Sequence, residues 1–544
     1  MGATYNNQAG QIVKQVHRFS PLVTGRQNSY IATVAVCLTA LGLQASSATA
    51  RALRIDHVTI VSPERSRPMP ESTVCIREGR IVSISRRQRS EAACTSERAA
   101  EVIDGKGLYL VPGLIDSHVH LTNVPGMTPQ QEHVNPDIAQ AARRQEPKSF
   151  LYFGFTTLID LTATPKTMTR WKSQDVAPDT YFCGAAPLID GYPMTFFPQP
   201  ARYDEMPYFI VERSAASSLP AEIDAAAHTP DAVVAQMKAD GAICVKTFFD
   251  RGPDPRSSLP VPRLETIRAL VRAAHAAGLP VLLHASSEEA QAFGLDAGVD
   301  VMAHGLWNWG EDSAPPTGLT PTVQATLDRV MRMNVGWQPT FRVGMGFRDL
   351  LLPSFLSGPL LPHVLPAPLI QWYRTAEGQS FHNQLASGFL AASNGDAKAV
   401  EARVNAIYSA NFGQLERATR YLAEHGGRLL LGTDTPCAPL YSNPPGLNGW
   451  WEIQSLAAAG VTPAQIFRAA TLANAQALGL SREIGTVQTG KRANLLLLRQ
   501  DPTQSIQAYG EIVKIILHGR VLDRSGLAAD RTTDTAIDRM HEQQ

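Results

Sequence analysis

The chain has 544 residues, 44% of them hydrophobic, with 49 basic and 49 acidic side chains. That length exceeds one ordinary domain but suits an α/β barrel with an appendage. The even charge balance leaves no basic surplus for nucleic acid or an anionic membrane surface, so a small, roughly neutral molecule is the expected partner.

Residues 1–30 carry Lys14, Arg18 and Arg26 and no acidic residue, an apolar run fills 31–43, and Ala48-Thr49-Ala50 follows. A basic start, a short apolar stretch and an A-x-A site predict a secretory signal over 1–50, cleaved after Ala50, and a periplasmic or secreted mature protein. About 13 apolar residues are too few to span a bilayer, so no stable membrane anchor is expected. Cys37 leaves with that segment, while Cys75, Cys94, Cys183, Cys244 and Cys437 remain. An odd count without a C-x-x-C pair argues against a thiolate metal site. Cys75 and Cys94 flank the hairpin-like Glu78-Gly79-Arg80. An exported chain could bridge them, and free buried thiols are the alternative.

Short strands are predicted at 54–61, 73–77, 80–85 and 101–103, with no helix-period segment between them. The same pattern returns at 485–487, 493–499, 512–517 and 520–522. The two terminal segments, 51–112 and 485–544, therefore predict one small β-sandwich built from both ends, with a polar tail fraying from about residue 528. Between them, over 113–484, eight strand candidates alternate with helices: 114–119, 156–161, 181–185, 242–248, 280–284, 299–303, 336–339 and 429–432. Helical periodicity marks 230–239, 261–277 and 287–297, with Gly278 and Gly298 at the expected stops. The fold class this predicts is α/β, a parallel (β/α)8 TIM-like barrel. Residues 340–427 are long for one connection and carry helical patterns of their own, at 399–408 and 412–425, which suit a lid.

Active-site groups of such a barrel project from the C-terminal ends of its strands. The first candidate strand runs Val111-Pro112-Gly113-Leu114-Ile115-Asp116-Ser117-His118-Val119-His120. Two histidines at i, i+2 on a strand share a face and can converge on a divalent metal. The fourth strand ends in Lys246, the fifth in His284, the sixth in His304 and the eighth in Asp434. Each has an ordinary structural explanation singly; all six at strand ends make a constellation.

This constellation resembles the amidohydrolase superfamily, in its binuclear, prolidase-like and imidazolonepropionase-like subgroup. Residues 111–120 are similar to its first-strand signature, and Gly154-Phe155-Thr156-Thr157, Ala303-His304-Gly305, Thr462-Pro463 and Arg468-Ala469-Ala470-Thr471 also match. The C-terminal motif from Gly485-Thr486-Val487 through Gly490 and Ala493 resembles the family's too, with Asn494 where an aspartate is usual. The resemblance implies one metal on His118, His120 and Asp434 and a second on His284 and His304, bridged by Lys246 after carboxylation by carbon dioxide. An ammonium cannot ligate a cation, whereas a carbamate offers two anionic oxygens. Two divalent ions are implied; imidazole and carboxylate donors without thiolate suit zinc, manganese, cobalt or iron, and zinc is the default. Metal-activated water would attack a carbonyl, with Asp434 as general base. Asp116 is a candidate partner for a ligating histidine.

Deaminating relatives carry a glutamate three residues after the fifth-strand histidine, where this chain has Ala285-Ser286-Ser287. Hydrolysis of an amide or peptide-like C–N bond is therefore expected. A carbamate, lactone or xenobiotic ester is the enzymatic alternative, and a silent binding protein on the same fold the remote one. Tyr192 could donate to the polarised carbonyl or merely pack its loop. Arg251 could pair with a substrate carboxylate or stand as a solvated loop arginine. Phe248 and Trp307, with Phe196, Phe197, Trp309, Phe341, Trp450 and Trp451, could wall a pocket for a hydrophobic group. The sequence leaves the oligomeric state open, a homo-oligomer included.

Overall fold

The computed structural model describes residues 52–86, 101–199, 201–212, 219–220, 223–252, 258–310, 317–352, 354–392, 396–436 and 439–530. The predicted signal segment, the part of the predicted polar tail beyond residue 530, and Cys37, Cys94 and Cys437 lie outside the described residues.

The terminal strands join into one sheet. β1 (Leu53–Ile60), β2 (Met69–Arg77), β3 (Arg80–Arg86), β4 (Glu101–Asp104) and β5 (Tyr109–Pro112) meet β13 (Leu495–Leu498), β14 (Ile512–Leu517) and β15 (Arg520–Asp523) in the order β15-β14-β13-β5-β1-β2-β3, with β4 also on β1. β13 lies antiparallel to β5, Leu495 opposite Pro112 and Leu497 opposite Leu110, which ties the two ends of the chain together. The expected sandwich is thus one hydrogen-bonded, eight-stranded mixed sheet. Its two faces explain the uninterrupted Leu495-Leu496-Leu497-Leu498. Leu495 and Leu497 pack with Ile55, Val74 and Ile516, whereas Leu496 and Leu498 face the core of the central region. A strand covered on both sides has no polar face to alternate with.

The second sheet holds seven parallel strands in consecutive order: β6 (Leu114–Val119), β7 (Phe155–Asp160), β8 (Asp179–Ala186), β9 (Cys244–Phe248), β10 (Val281–His284), β11 (Val301–Ala303) and β12 (Gly336–Gln338). Crossover helices begin where the sequence places their caps. Thr229, Ser287 and Thr320 each accept a backbone N–H of the first turn, and Gly298 ends the helix Glu288–Ala297 at φ 82°. Only glycine takes that left-handed turn without strain.

The eighth expected strand is not a regular one. Leu430 N donates to Trp337 O on β12, while Ser117 N on β6 donates to Leu431 O and Asp434 N to His118 O. The Asn474 amide adds bonds to Ile115 O and Leu431 O. The segment therefore bonds both edge strands through isolated bridges, and its ladder breaks where Asp434 turns to φ 60°. The long connection carries several helices, and its two expected C-terminal patterns fuse into one helix, Ala397–Glu424.

Alternation sorts the parallel strands' side chains. Ile115, Ile159, Cys183, Cys244, Leu282, Val301 and Leu430 share one interior cluster, while their neighbours Leu114, Leu158, Val245, Leu283 and Met302 pack outward. Period two then carries Lys246 and His284 onto the face of Cys244 and Leu282. In β6 a bulge intervenes: Asp116 pairs with Leu158 but Val119 with Asp160. The extra residue flips the alternation, turning Val119 outward and His118 and His120 inward.

Cys183 and Cys244, directly opposite on β8 and β9, are joined as a disulfide. The sequence singled out a different pair; Cys75 is disulfide-bonded, and Cys94 is beyond the described residues. With Cys183 and Cys244 separated by 61 positions, a Cys183→Ala/Cys244→Ala variant is expected to lose about 4 kcal/mol, by the chain-entropy relation. Chemical denaturation checks this, and an unchanged midpoint would show that strand packing alone holds the parallel sheet at that seam.

Candidate metal centre

Five of the six sequence-predicted ligands meet through direct contacts. Asp434 Oδ1 lies 2.6 Å from His120 Nε2 and 3.0 Å from His118 Nε2. The His304 ring stands 4.9 Å from His118 and 4.5 Å from His284, centre to centre. Donor atoms of His118, His304 and Asp434 all fall within 4.8 Å of one another. Lys246 joins through charge: it depresses His118 and His304, and its Nζ rests 4.9 Å over the Phe248 ring. His304 at φ 87°, Thr340 at 48° and Asp434 at 60° are all left-handed non-glycine residues. Such backbone persists where surrounding contacts hold it, and it gathers at working sites.

Each histidine is oriented by a partner on one ring nitrogen. Gln338 donates its amide to Ser117 O and Oγ, so its carbonyl oxygen is the acceptor facing His118 Nδ1 at 3.2 Å. His118 Nδ1 therefore carries the proton, and Nε2 presents a bare lone pair. That buried nitrogen has no hydrogen-bond partner, yet it faces a carboxylate oxygen at 3.0 Å. Two acceptors in a dry site repel unless a proton or a metal cation lies between them. His120 Nδ1 pairs with Thr162 Oγ1 at 2.8 Å, His304 Nδ1 with Thr340 Oγ1 at 2.9 Å, and His284 Nε2 with Asp250 Oδ2 at 2.8 Å. The arrangement leaves Nε2 of three rings and Nδ1 of His284 for a metal, which fits the donor set.

Electrostatics agree. Burial holds His118 at about 4 and His304 well below the usual imidazole range, so both are neutral ligands. Burial pulls His120 down, but the Asp434 carboxylate more than reverses it. Asp434 stays ionised: burial raises it, and His118 and His120 drive it well below the ordinary range. Burial lowers Lys246 to about 8, which enriches the neutral amine that a carbamate requires.

Asp116 departs from its expected role. It accepts from His118 N at 3.2 Å and from Thr433 N and Oγ1 at 3.1 and 2.6 Å, pinning the strand ends rather than an imidazole. Burial lifts its carboxyl to about 7. Arg251 is a second correction. Its guanidinium fork grips Glu289 at 3.1 and 2.7 Å with the side chain about half exposed. The fork proposed for a substrate carboxylate is already filled.

The other candidate substrate residues do gather here. The Tyr192 ring lies 4.8 Å from His284, 5.9 Å from Phe248 and 5.2 Å from Phe196, and Trp307 lies 5.2 Å from His304. Behind them Ile189, Met194, Met206 and Phe209 form an apolar cluster. Phe341 and Trp450 are buried in the core, and Trp309 and Trp451 lie under Arg417 and Arg342, so these four are packing. Sequence reasoning missed Thr162, Asp250, Gln338 and Thr340. Thr162, Gln338 and Thr340 stand at the ends of the second and seventh strands, the signal that could have revealed them.

Asn494, the departure from the family pattern, has a physical reason. Its amide donates to Asp179 Oδ2 at 2.8 Å and its oxygen accepts from His518 N at 3.0 Å. An aspartate would face the Asp179 carboxylate.

Residues 109–301 and 412–522 match the Amidohydrolase family. A dihydroorotase from Streptococcus pneumoniae is 32% identical over 96 residues, an alignment spanning only 18% of this chain and 18% of that enzyme. Among solved structures, an Xaa-Pro dipeptidase with bound methionine in the active site superposes with a TM-score of 0.58 at 17% identity, over 87% of this chain and 100% of its own. Molinate hydrolase reaches 0.60 at 18% identity, over 88% of this chain and 96% of its own. At these identities the likeness is one of fold.

Proposed function

We propose that this chain, which belongs to the amidohydrolase family, is an exported, binuclear metal-dependent hydrolase of the prolidase-like subgroup that cleaves an amide or peptide-like bond in a substrate with a hydrophobic group. The observation that carries this is the Nε2 of buried His118, without a hydrogen-bond partner and facing the Asp434 carboxylate at 3.0 Å, a gap that a divalent cation would fill. His118, His120 and Asp434 would hold one divalent ion, His284 and His304 the other, with carboxylated Lys246 between them and zinc the default metal. The ions would supply a hydroxide at neutral pH and polarise the carbonyl. Asp434 takes the proton of the attacking water and returns it to the leaving amine. Tyr192, Phe248 and Trp307 wall the substrate, and Gln338, Thr162, Thr340 and Asp250 hold the rings still. The segment Leu429–Asp434 reads as the eighth strand position of a closed barrel.

A second reading, hydrolysis of an uncharged carbamate or ester, draws on one observation: Arg251 pairs with Glu289 and leaves no fork for a substrate carboxylate. Export draws on the leader predicted from residues 1–50 and on the Cys183–Cys244 disulfide, a kind of bond that persists in oxidising compartments. Among the described residues no helix is long and apolar enough to cross a membrane.

Elemental analysis of the purified mature protein, kept in bicarbonate, tests the core of this reading. Two transition-metal ions per chain are expected, falling to one or none in Lys246→Ala. Full activity with two metals bound in that variant would remove Lys246 as the bridge. Turnover on N-acyl amino acids and dipeptides against esters and carbamates separates the two substrate readings.

A further inference from the structure

The four site histidines are not held alike. On the ring nitrogen turned away from the cluster, His118, His120 and His304 have neutral partners, Gln338, Thr162 and Thr340, whereas His284 meets a carboxylate there, Asp250 at 2.8 Å; Asp434 contacts His118 and His120 on their other nitrogen. Asp250 belongs to no metal ligand set and follows β9 by two residues. Its other oxygen accepts from Gly252 N at 2.7 Å, where Gly252 turns at φ 101°. That self-made turn fixes the carboxylate's direction.

The residues on either side anchor the same loop to the same neighbour. Phe249 N donates to His284 O at 3.1 Å, and the Phe249 ring stacks 4.5 Å from Phe293. Arg251 grips Glu289. Glu289 and Phe293 lie four apart on the helix Glu288–Ala297, hence on one face of it. Three consecutive side chains thus clamp the loop after the Lys246 strand onto the unit that starts with His284, and the middle one reaches the imidazole.

We propose that Asp250 is a positioning residue that fixes His284 with Nδ1 toward the metal, with Arg251 as the clamp that keeps Asp250 in place. This rests on the binuclear reading and deepens it: the two metals would be inequivalent, because only one of them would be held by an imidazole with a carboxylate on its far nitrogen. A carboxylate on the far nitrogen of a ligating histidine raises the ligand's basicity, and its removal commonly weakens metal affinity 10–100-fold.

The test is titration of metal-free protein with cobalt(II), in bicarbonate, followed by its visible absorption bands, with thermal unfolding run in parallel. Wild type is expected to load in two steps. In Asp250→Asn one step should weaken about 10–100-fold with altered bands, while the other step and the melting temperature hold. Arg251→Ala should move the same step by less. Two tight steps in wild type with an indistinguishable Asp250→Asn would overturn the positioning role alone, as would equal weakening of both steps. Failure of wild type to bind a second cobalt would instead end the binuclear reading, and this inference with it.

Discussion

Replacing Asp434 with asparagine is expected to lower turnover by about 10³-fold, within the range that loss of a positioned proton-transfer group produces, while the fold survives. Asparagine keeps an oxygen where Asp434 Oδ1 meets His118 and His120 at 3.0 and 2.6 Å, so the local packing persists. What disappears is the charge. Asp434 remains a carboxylate in a buried site because two imidazoles outweigh the cost of burial. An amide there can neither accept a proton at neutral pH nor balance a cation as well. Steady-state kinetics at saturating metal, with circular dichroism and melting as controls, check the expectation. A rate within about tenfold of wild type would remove Asp434 as the base, since such groups contribute at least 10².

The site's legibility followed from strand ends. His118, Lys246, His284, His304 and Asp434 each stand where an apolar run stops, and parallel topology gathers those ends on one face. Period two accounts for Lys246 and His284 without any structure. It fails for His118 and His120, whose inward aim comes from a bulge between Asp116 and Val119 that no spacing in the sequence announces. It fails for Asp434 as well, since its left-handed turn breaks the strand predicted to carry it. Arg251 shows the limit of reading residues singly: a loop arginine near a site looks available until Glu289, 38 positions on, is brought against it. Asp250 was invisible for the same reason, because its meaning lies in the imidazole it meets across the next unit. The Cys183–Cys244 bond needed the register of two strands, which the sequence does not print.

The second large effect concerns stability against pH and centres on Glu146, in the helix Pro136–Tyr152. Its side chain is buried, its Oε1 has no hydrogen-bond partner, and burial lifts its carboxyl to about 8 despite Arg143 and Arg170 nearby. A folded-state value above the unfolded one means that the folded chain holds the proton more tightly. The contribution is therefore fully present below about 4.5, the unfolded value, and is lost as pH rises through about 8. That loss amounts to roughly 3–5 kcal/mol at 1.36 kcal/mol per unit. Glu146→Gln keeps the shape without the ionisation. Its unfolding midpoint should match wild type near pH 4.5 and exceed it clearly at pH 8.5, and parallel pH curves would show that Glu146 is ionised in the fold. The consequence reaches the site, because Arg143 and Arg170 donate to Thr122 O at 3.1 and 3.2 Å, and Trp171 to Leu121 O at 3.1 Å. Those carbonyls belong to the loop that leaves His120. With Glu146 neutral, both guanidiniums stay on the loop; with it ionised, they acquire a competing anion beneath the strand that carries His118 and His120.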